Sequence, residues 1–154
     1  MRKLSQIISN LAIIVIAVFF ISCSKEPVPF DMGKDVCEHC KMTIVDPKWG
    51  AQLITSTGKN YKYDVIECMI LHEKTLEAKK VHSKWTINYL NNEQFIKVED
   101  AIYVRSLEFN SPMGLNAISL SKDEEISQLK LQNTPEKLKW NQLLNIVESE
   151  FSEE

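Results

Sequence analysis

The chain has 154 residues, 44% hydrophobic and 25% charged, with 18 basic and 21 acidic side chains for a formal net charge of -3. That is the make-up of one ordinary globular unit or two very small ones, and it excludes a disordered or collagen-like chain. No basic cluster or glycine-rich phosphate loop is present, which argues against a nucleic-acid partner and a nucleotide enzyme.

In chain order, Arg2 and Lys3 precede an uninterrupted apolar run, LAIIVIAVFFI over 11–21, which ends at Ser22-Cys23. Eleven helical residues cover only about 16 Å of a hydrocarbon core about 30 Å thick, so a signal peptide is expected rather than a membrane span. Phe20-Ile21-Ser22-Cys23 is similar to a bacterial lipobox, with cleavage before Cys23 and lipidation of that cysteine; an ordinary secretory signal or an uncleaved anchor are the alternatives. Removal of 1–22 leaves 132 residues with 16 basic and 21 acidic groups, a net charge of -5. Residues 23–35, with Pro27, Pro29 and Gly33, read as a tether.

Beyond the tether, 42–45 reads as a strand stopped by Asp46-Pro47, followed by strands over 49–55 and 60–63 around the turn at 57–60. Asp64 with Glu67 three positions on has capping-box spacing and predicts a helix over 65–76. Its apolar stripe carries Val65, Cys68, Met69, His72 and Leu76. Strands are expected over 85–90, 101–107 and 117–120, then a helix from Lys122 capped by Ser121, and an amphipathic helix after Pro135 whose acidic end frays from Glu148. The three tryptophans, Trp49, Trp85 and Trp140, are expected in the core. The fold class is α+β, and the order of elements is compatible with two small ββα-type lobes.

The densest chemistry is Cys37-Glu-His39-Cys40-Lys-Met42, two thiols, an imidazole and a thioether in six positions. Thiolate with thioether suits Cu(I), whereas a thioether is a poor ligand for zinc. Met113, between Pro112 and Gly114 in a predicted turn, is a second candidate donor. Other readings stand beside this one. Cys37 and Cys40 could form a local disulfide, or act as a thiol oxidoreductase pair in which the intervening His39 depresses a thiolate pKa. Cys37, Cys40, Cys68 and His72 could instead hold a structural zinc, although Cys68 is expected to be core packing. Met42 could be a strand core residue, and Met113 could cover an apolar edge. His82 reads as a surface histidine. No arrangement of hydrolytic residues stands out.

Taken together, the lipobox, Cys37-x-x-Cys40-x-Met42, Asp46 with Gly50-Ala-Gln52, Tyr103-Val-Arg-Ser106 and Ser111-Pro-Met113-Gly114 resemble the NosL family of nitrous oxide reductase accessory proteins. The resemblance runs from Val36 to about Ile146 and implies two ββαβ-type lobes in one unit over 36–150, divided into 36–92 and 93–150. It also implies a lipoprotein of the bacterial envelope, its folded part on the periplasmic side, that is not an enzyme. Its cargo would be Cu(I), delivered for assembly of the nitrous oxide reductase copper centres in concert with an ABC-type transporter. Carried over by position, Cys37, Cys40, Met42 and Met113 match the family's motifs, and His39 or His72 would add a nitrogen ligand. The family usually has Gly where this chain has Lys41. If that position needs a positive φ, Lys41 strains the turn.

Overall fold

The computed structural model describes residues 25–77 and 80–151; the signal segment and Cys23 lie outside them. The first sheet comprises β1 (Ala51–Thr55), β2 (Asn60–Tyr63), β3 (Val81–Asn88) and β4 (Asn91–Lys97), all antiparallel in the order β2-β1-β3-β4. Helix α1 (Ile66–Glu73) lies between β2 and β3 in the chain. The second sheet, β5 (Ile102–Arg105), β6 (Ala117–Leu120) and β7 (Glu136–Leu138), is also antiparallel and runs β6-β5-β7. A 3-10 helix, Asp123–Leu129, separates β6 from β7, and helix α2 (Trp140–Phe151) closes the chain.

The first three strands of each sheet therefore share one plan: the second strand, then the first, then the third, with a helical element before the third. This is the paired-lobe architecture the sequence led us to expect, with β4 added to the first lobe. The expected lobe boundary at 92/93 falls inside β4, so the first sheet extends to Lys97. One continuous core joins the lobes, from Ile44, Leu53, Tyr63 and Met69 through Tyr103, Leu115 and Leu138 to Leu143 and Val147. Each such buried aliphatic side chain contributes about 1.5–3 kcal/mol relative to exposure. Between the sheets, Thr86 and Ser119 hydroxyls meet at 2.8 Å, and Tyr89 N–H donates to the Ser119 carbonyl at 2.9 Å.

Several local expectations give way to tertiary context. The strand expected over 42–45 is reduced to one bridge, Val36 with Thr43, flanked by a few backbone bonds, because Lys41 turns the chain and the 3-10 helix Pro47–Trp49 follows at once. Helix α1 starts at Ile66 behind Val65 with no side-chain cap. Asp64 and Glu67 are both buried instead of forming a capping box. After β6, Glu125 rather than Glu124 reaches back, accepting from the backbone of Ser121 and Lys122, and the resulting helix is 3-10. The tryptophans are half-buried: Trp49, edge-on to Tyr89, and Trp140, against Tyr103, pack on the flank of the core, and Trp85 lies on the interior strand β3 without joining the core. The C-terminal helix continues through Glu148 to Phe151.

Residues 28–35, read as tether, are docked on the first sheet. Gln52, fully buried on β1, clamps Val28: its Oε1 accepts the Val28 N–H at 3.0 Å and its Nε2 donates to the Val28 carbonyl at 2.5 Å. Lys62 on β2 bonds the Pro29 carbonyl at 3.0 Å and pairs with Asp35. The Phe30 ring occupies the space a side chain at Gly50 would need, 2.7 Å from an ideal Cβ there, so a larger residue would push the ring off the sheet. Two residues of the Gly50-Ala-Gln52 motif thus hold the N-terminal segment against the sheet.

Candidate metal centre

Docking of that segment fixes the hairpin that follows. Cys37 N–H donates to the Met42 carbonyl at 2.8 Å, Ile44 N–H to the Asp35 carbonyl at 2.8 Å, and Glu38 N–H to the Lys62 carbonyl of β2 at 2.9 Å. The reversal closes with Lys41 N–H on the Cys37 carbonyl at 3.0 Å, and Lys41 adopts φ +62°. The left-handed conformation expected at this position is therefore adopted by a lysine, whose ammonium also reaches the Glu38 carbonyl.

This turn sets Cys37 and Cys40 against α1. Helical spacing turns the buried stripe of α1 toward the hairpin, and Cys68 sits on that stripe, fully buried. The Sγ atoms of Cys37, Cys40 and Cys68 all lie within 4.8 Å of one another, and all three are free thiols. From the second lobe, Met113 comes close, its Sδ 3.0 Å from the Cys68 sulfur. Its turn is tightly specified. Gly114 has φ +90° and Asn116 φ +56°; Ser111 and Asn116 exchange side-chain to backbone bonds at 2.8 and 3.1 Å; and Arg105 Nε holds the Leu115 carbonyl at 3.0 Å. Four sulfurs thus converge at the lobe junction, three from the first lobe and one from the second.

The electrostatics divide the thiols. The Cys68 S–H and the backbone amides of Asp64 and Cys40 turn toward Cys37 and outweigh its burial, lowering its pKa to about 5, so Cys37 is a thiolate at neutral pH. Cys68, donating to that thiolate and buried beside it, is pushed far up; burial raises Cys40. The amide of Met42 is directed at the Cys40 sulfur. One sulfur is ready-charged, and the other two would have to give up protons to ligate a metal ion.

Met42 lies across the hairpin from Cys37 but is 52% exposed, and His39 is exposed at the turn. His72 stands one helical turn beyond Cys68, its Nδ1 2.7 Å from the Tyr63 hydroxyl and its ring edge-on to Tyr61, with its pKa lowered mainly by burial. It is outside the thiol group, so the structure does not assemble the four-ligand zinc set of Cys37, Cys40, Cys68 and His72. Nor does the Cys37–Cys40 pair sit at a helix N-terminus, where thiol oxidoreductases place theirs. Cys68, expected as core packing, is both core and part of the cluster. Sequence spacing already placed it on the buried stripe of α1, and only the hairpin's position reveals what that stripe faces.

A small α+β unit whose two lobes meet at three thiols and a thioether defines a class of protein organised round a soft-donor cluster. The chain belongs to the NosL family, whose family model matches residues 27–143. Its fold is similar to the crystal structure of the copper chaperone NosL from Shewanella denitrificans. The TM-score is 0.60 at 16% identity, over 77% of this chain and 95% of that one. No curated protein matches the chain.

Proposed function

We propose that this chain is a Cu(I) chaperone whose cargo is held by Cys37, Cys40 and Cys68, with Met113 as the exchangeable thioether. The observation that carries this reading is the convergence of the three Sγ atoms within 4.8 Å, with Met113 Sδ 3.0 Å from one of them, in a member of the NosL family. An all-sulfur set favours Cu(I) over harder ions. The low-pKa Cys37 supplies the first charge, Cys40 and Cys68 follow by losing protons, and Met113, neutral and weak, adds or leaves without charge movement. Transfer is then ligand exchange: an incoming sulfur replaces Met113 before the thiolates let go. Partly exposed Cys40 and exposed Met42 offer the approach, with His39, exposed on the same turn, and His72, a helical turn from Cys68, as transient nitrogen donors during transfer.

The family resemblance and the Ser22-Cys23 motif extend this reading. Lipid on Cys23 anchors the chain to a bacterial envelope membrane, the folded unit is periplasmic, and the copper goes to assembly of nitrous oxide reductase centres through a partner transporter complex of ABC type. No helix among the described residues is long and apolar enough to cross a membrane. The protein carries cargo and performs no catalysis.

Anaerobic titration of the reduced protein with Cu(I) against a chromogenic chelator is expected to give one tightly held ion per chain. The double variant Cys37→Ser with Cys40→Ser is expected to lose at least about a thousandfold in affinity. Unchanged affinity in that variant overturns the site.

A further inference from the structure

Docking of residues 28–35 leaves only a few residues between Cys23 and the folded unit. Val28 is five residues from Cys23, a reach of at most about 17 Å even fully extended, and Pro27 stiffens it. The same limit holds whether residues 11–21 remain as an anchor or are replaced by lipid on Cys23. An attachment this short constrains which face meets the membrane.

The face beside the attachment carries an apolar groove with a polar rim. An open groove of about 380 Å³ runs between the N-terminal segment and the edge strand β4, lined by Pro29, Phe30, Met32, Pro47 and Phe95 with Asn92 and Glu93 at its rim. Phe30 and Phe95 stack across it at 6.4 Å, and Met32 is 59% exposed. Three of the five apolar linings lie within nine residues of Cys23. The groove borders β4, an edge of the first sheet with no strand beyond it among the described residues.

We propose that this groove is a membrane-contact surface, resting on the lipid interface next to the anchor, so that the unit lies on the bilayer in a fixed orientation instead of swinging freely. The proposal rests on the anchored reading above. A peripheral face of this kind needs apolar side chains to enter the headgroup boundary by about 5–10 Å; exposed Met32 leads, with half-buried Phe95 beside it, while the Phe30 ring, packed inward over Gly50, forms the floor. Because the metal hairpin is bonded to the same segment, through Gly33 N–H on the Ile44 carbonyl at 2.9 Å, fixing this face also fixes the direction in which the thiol cluster opens relative to the membrane.

The test uses the full chain, produced in bacterial membranes and reconstituted into vesicles of zwitterionic lipid with or without bromine on the acyl chains. Met32→Trp reports on the groove, and Leu107→Trp, at a position 94% exposed on the second lobe, is the control. Both are read as the change in emission over the native tryptophans. Brominated lipid is expected to quench the Met32→Trp signal about threefold more strongly than the Leu107→Trp signal, given the depth such faces reach. Equal quenching in chains that float with the vesicles overturns this face while leaving the anchor intact. Failure to float overturns the anchored reading and the proposal with it.

Discussion

The two sources of sulfur at the lobe junction are built by opposite means. On the first lobe, a hairpin and a helix gather three thiols, two of them fully buried, and direct amides at them, so that one is already charged. On the second, a turn held by Gly114, Asn116 and Arg105 presents a single neutral thioether. The difference separates retention from release: thiolates hold a soft cation by charge, while a thioether adds affinity that a competing ligand can take over cheaply. The proposed function needs both, and here they come from different lobes.

That contrast can be broken side by side. Cys68→Ser removes a thiolate and is expected to weaken Cu(I) binding by on the order of a hundredfold or more, whereas Met113→Leu, which keeps the volume of the side chain, should cost only about tenfold. Competition titrations measure both, and the same samples mixed with a thiol acceptor should show faster copper release from Met113→Leu. Equal losses in the two variants would erase the distinction between the lobes.

Between the two regions stands Glu67, next to Cys68 on α1 and almost wholly buried, with Oε1 lacking a hydrogen-bond partner. Burial raises its pKa from 4.5 to about 7, against the pull of nearby backbone amides. At this group the folded state binds more protons than the unfolded chain, so the contribution of Glu67 to the stability of the metal-free protein is full below pH 4.5 and is lost as pH rises toward 7, by about 3 kcal/mol at most. The Cys37 thiolate, lowered to about 5, acts in the opposite sense above that pH, so the Glu67 contribution is read as the difference in denaturant midpoint between wild type and Glu67→Gln, which should shift against wild type as pH rises from 4.5 to 7. A midpoint that rises with pH in wild type but not in Glu67→Gln would reverse the assignment.

The smallest expected effect concerns the turn. Lys41 occupies a left-handed conformation that glycine adopts freely, so Lys41→Gly is expected to raise stability by about 0.5–1 kcal/mol, read as a higher melting temperature, with the copper site unchanged.

How much of this was written legibly in the chain varies with the kind of signal. β1, β2, β5 and β6 carry β-prone sequences between turn residues and are legible. β4 (Asn91–Lys97) and β7 (Glu136–Leu138) are not, because NNEQFIK and EKL carry little apolar alternation and pair only because β3 and β5 offer them an edge. The Cys37-x-x-Cys40 motif and the Met113 turn announce themselves through residue type and punctuation. Cys68 is ambiguous by nature, since a buried ligand on an apolar stripe has the periodicity of a core residue. The role of Gly50 and Gln52 in docking residues 28–35 was hidden as well: it depends on the Phe30 ring and the Val28 backbone, more than twenty residues away in the case of Val28.

Copper K-edge X-ray absorption of the anaerobically loaded protein tests the central claim most directly. A first shell made only of sulfur, losing one scatterer in Met113→Leu, is predicted. A shell containing nitrogen, or one unchanged in Cys68→Ser, would contradict the four-sulfur junction.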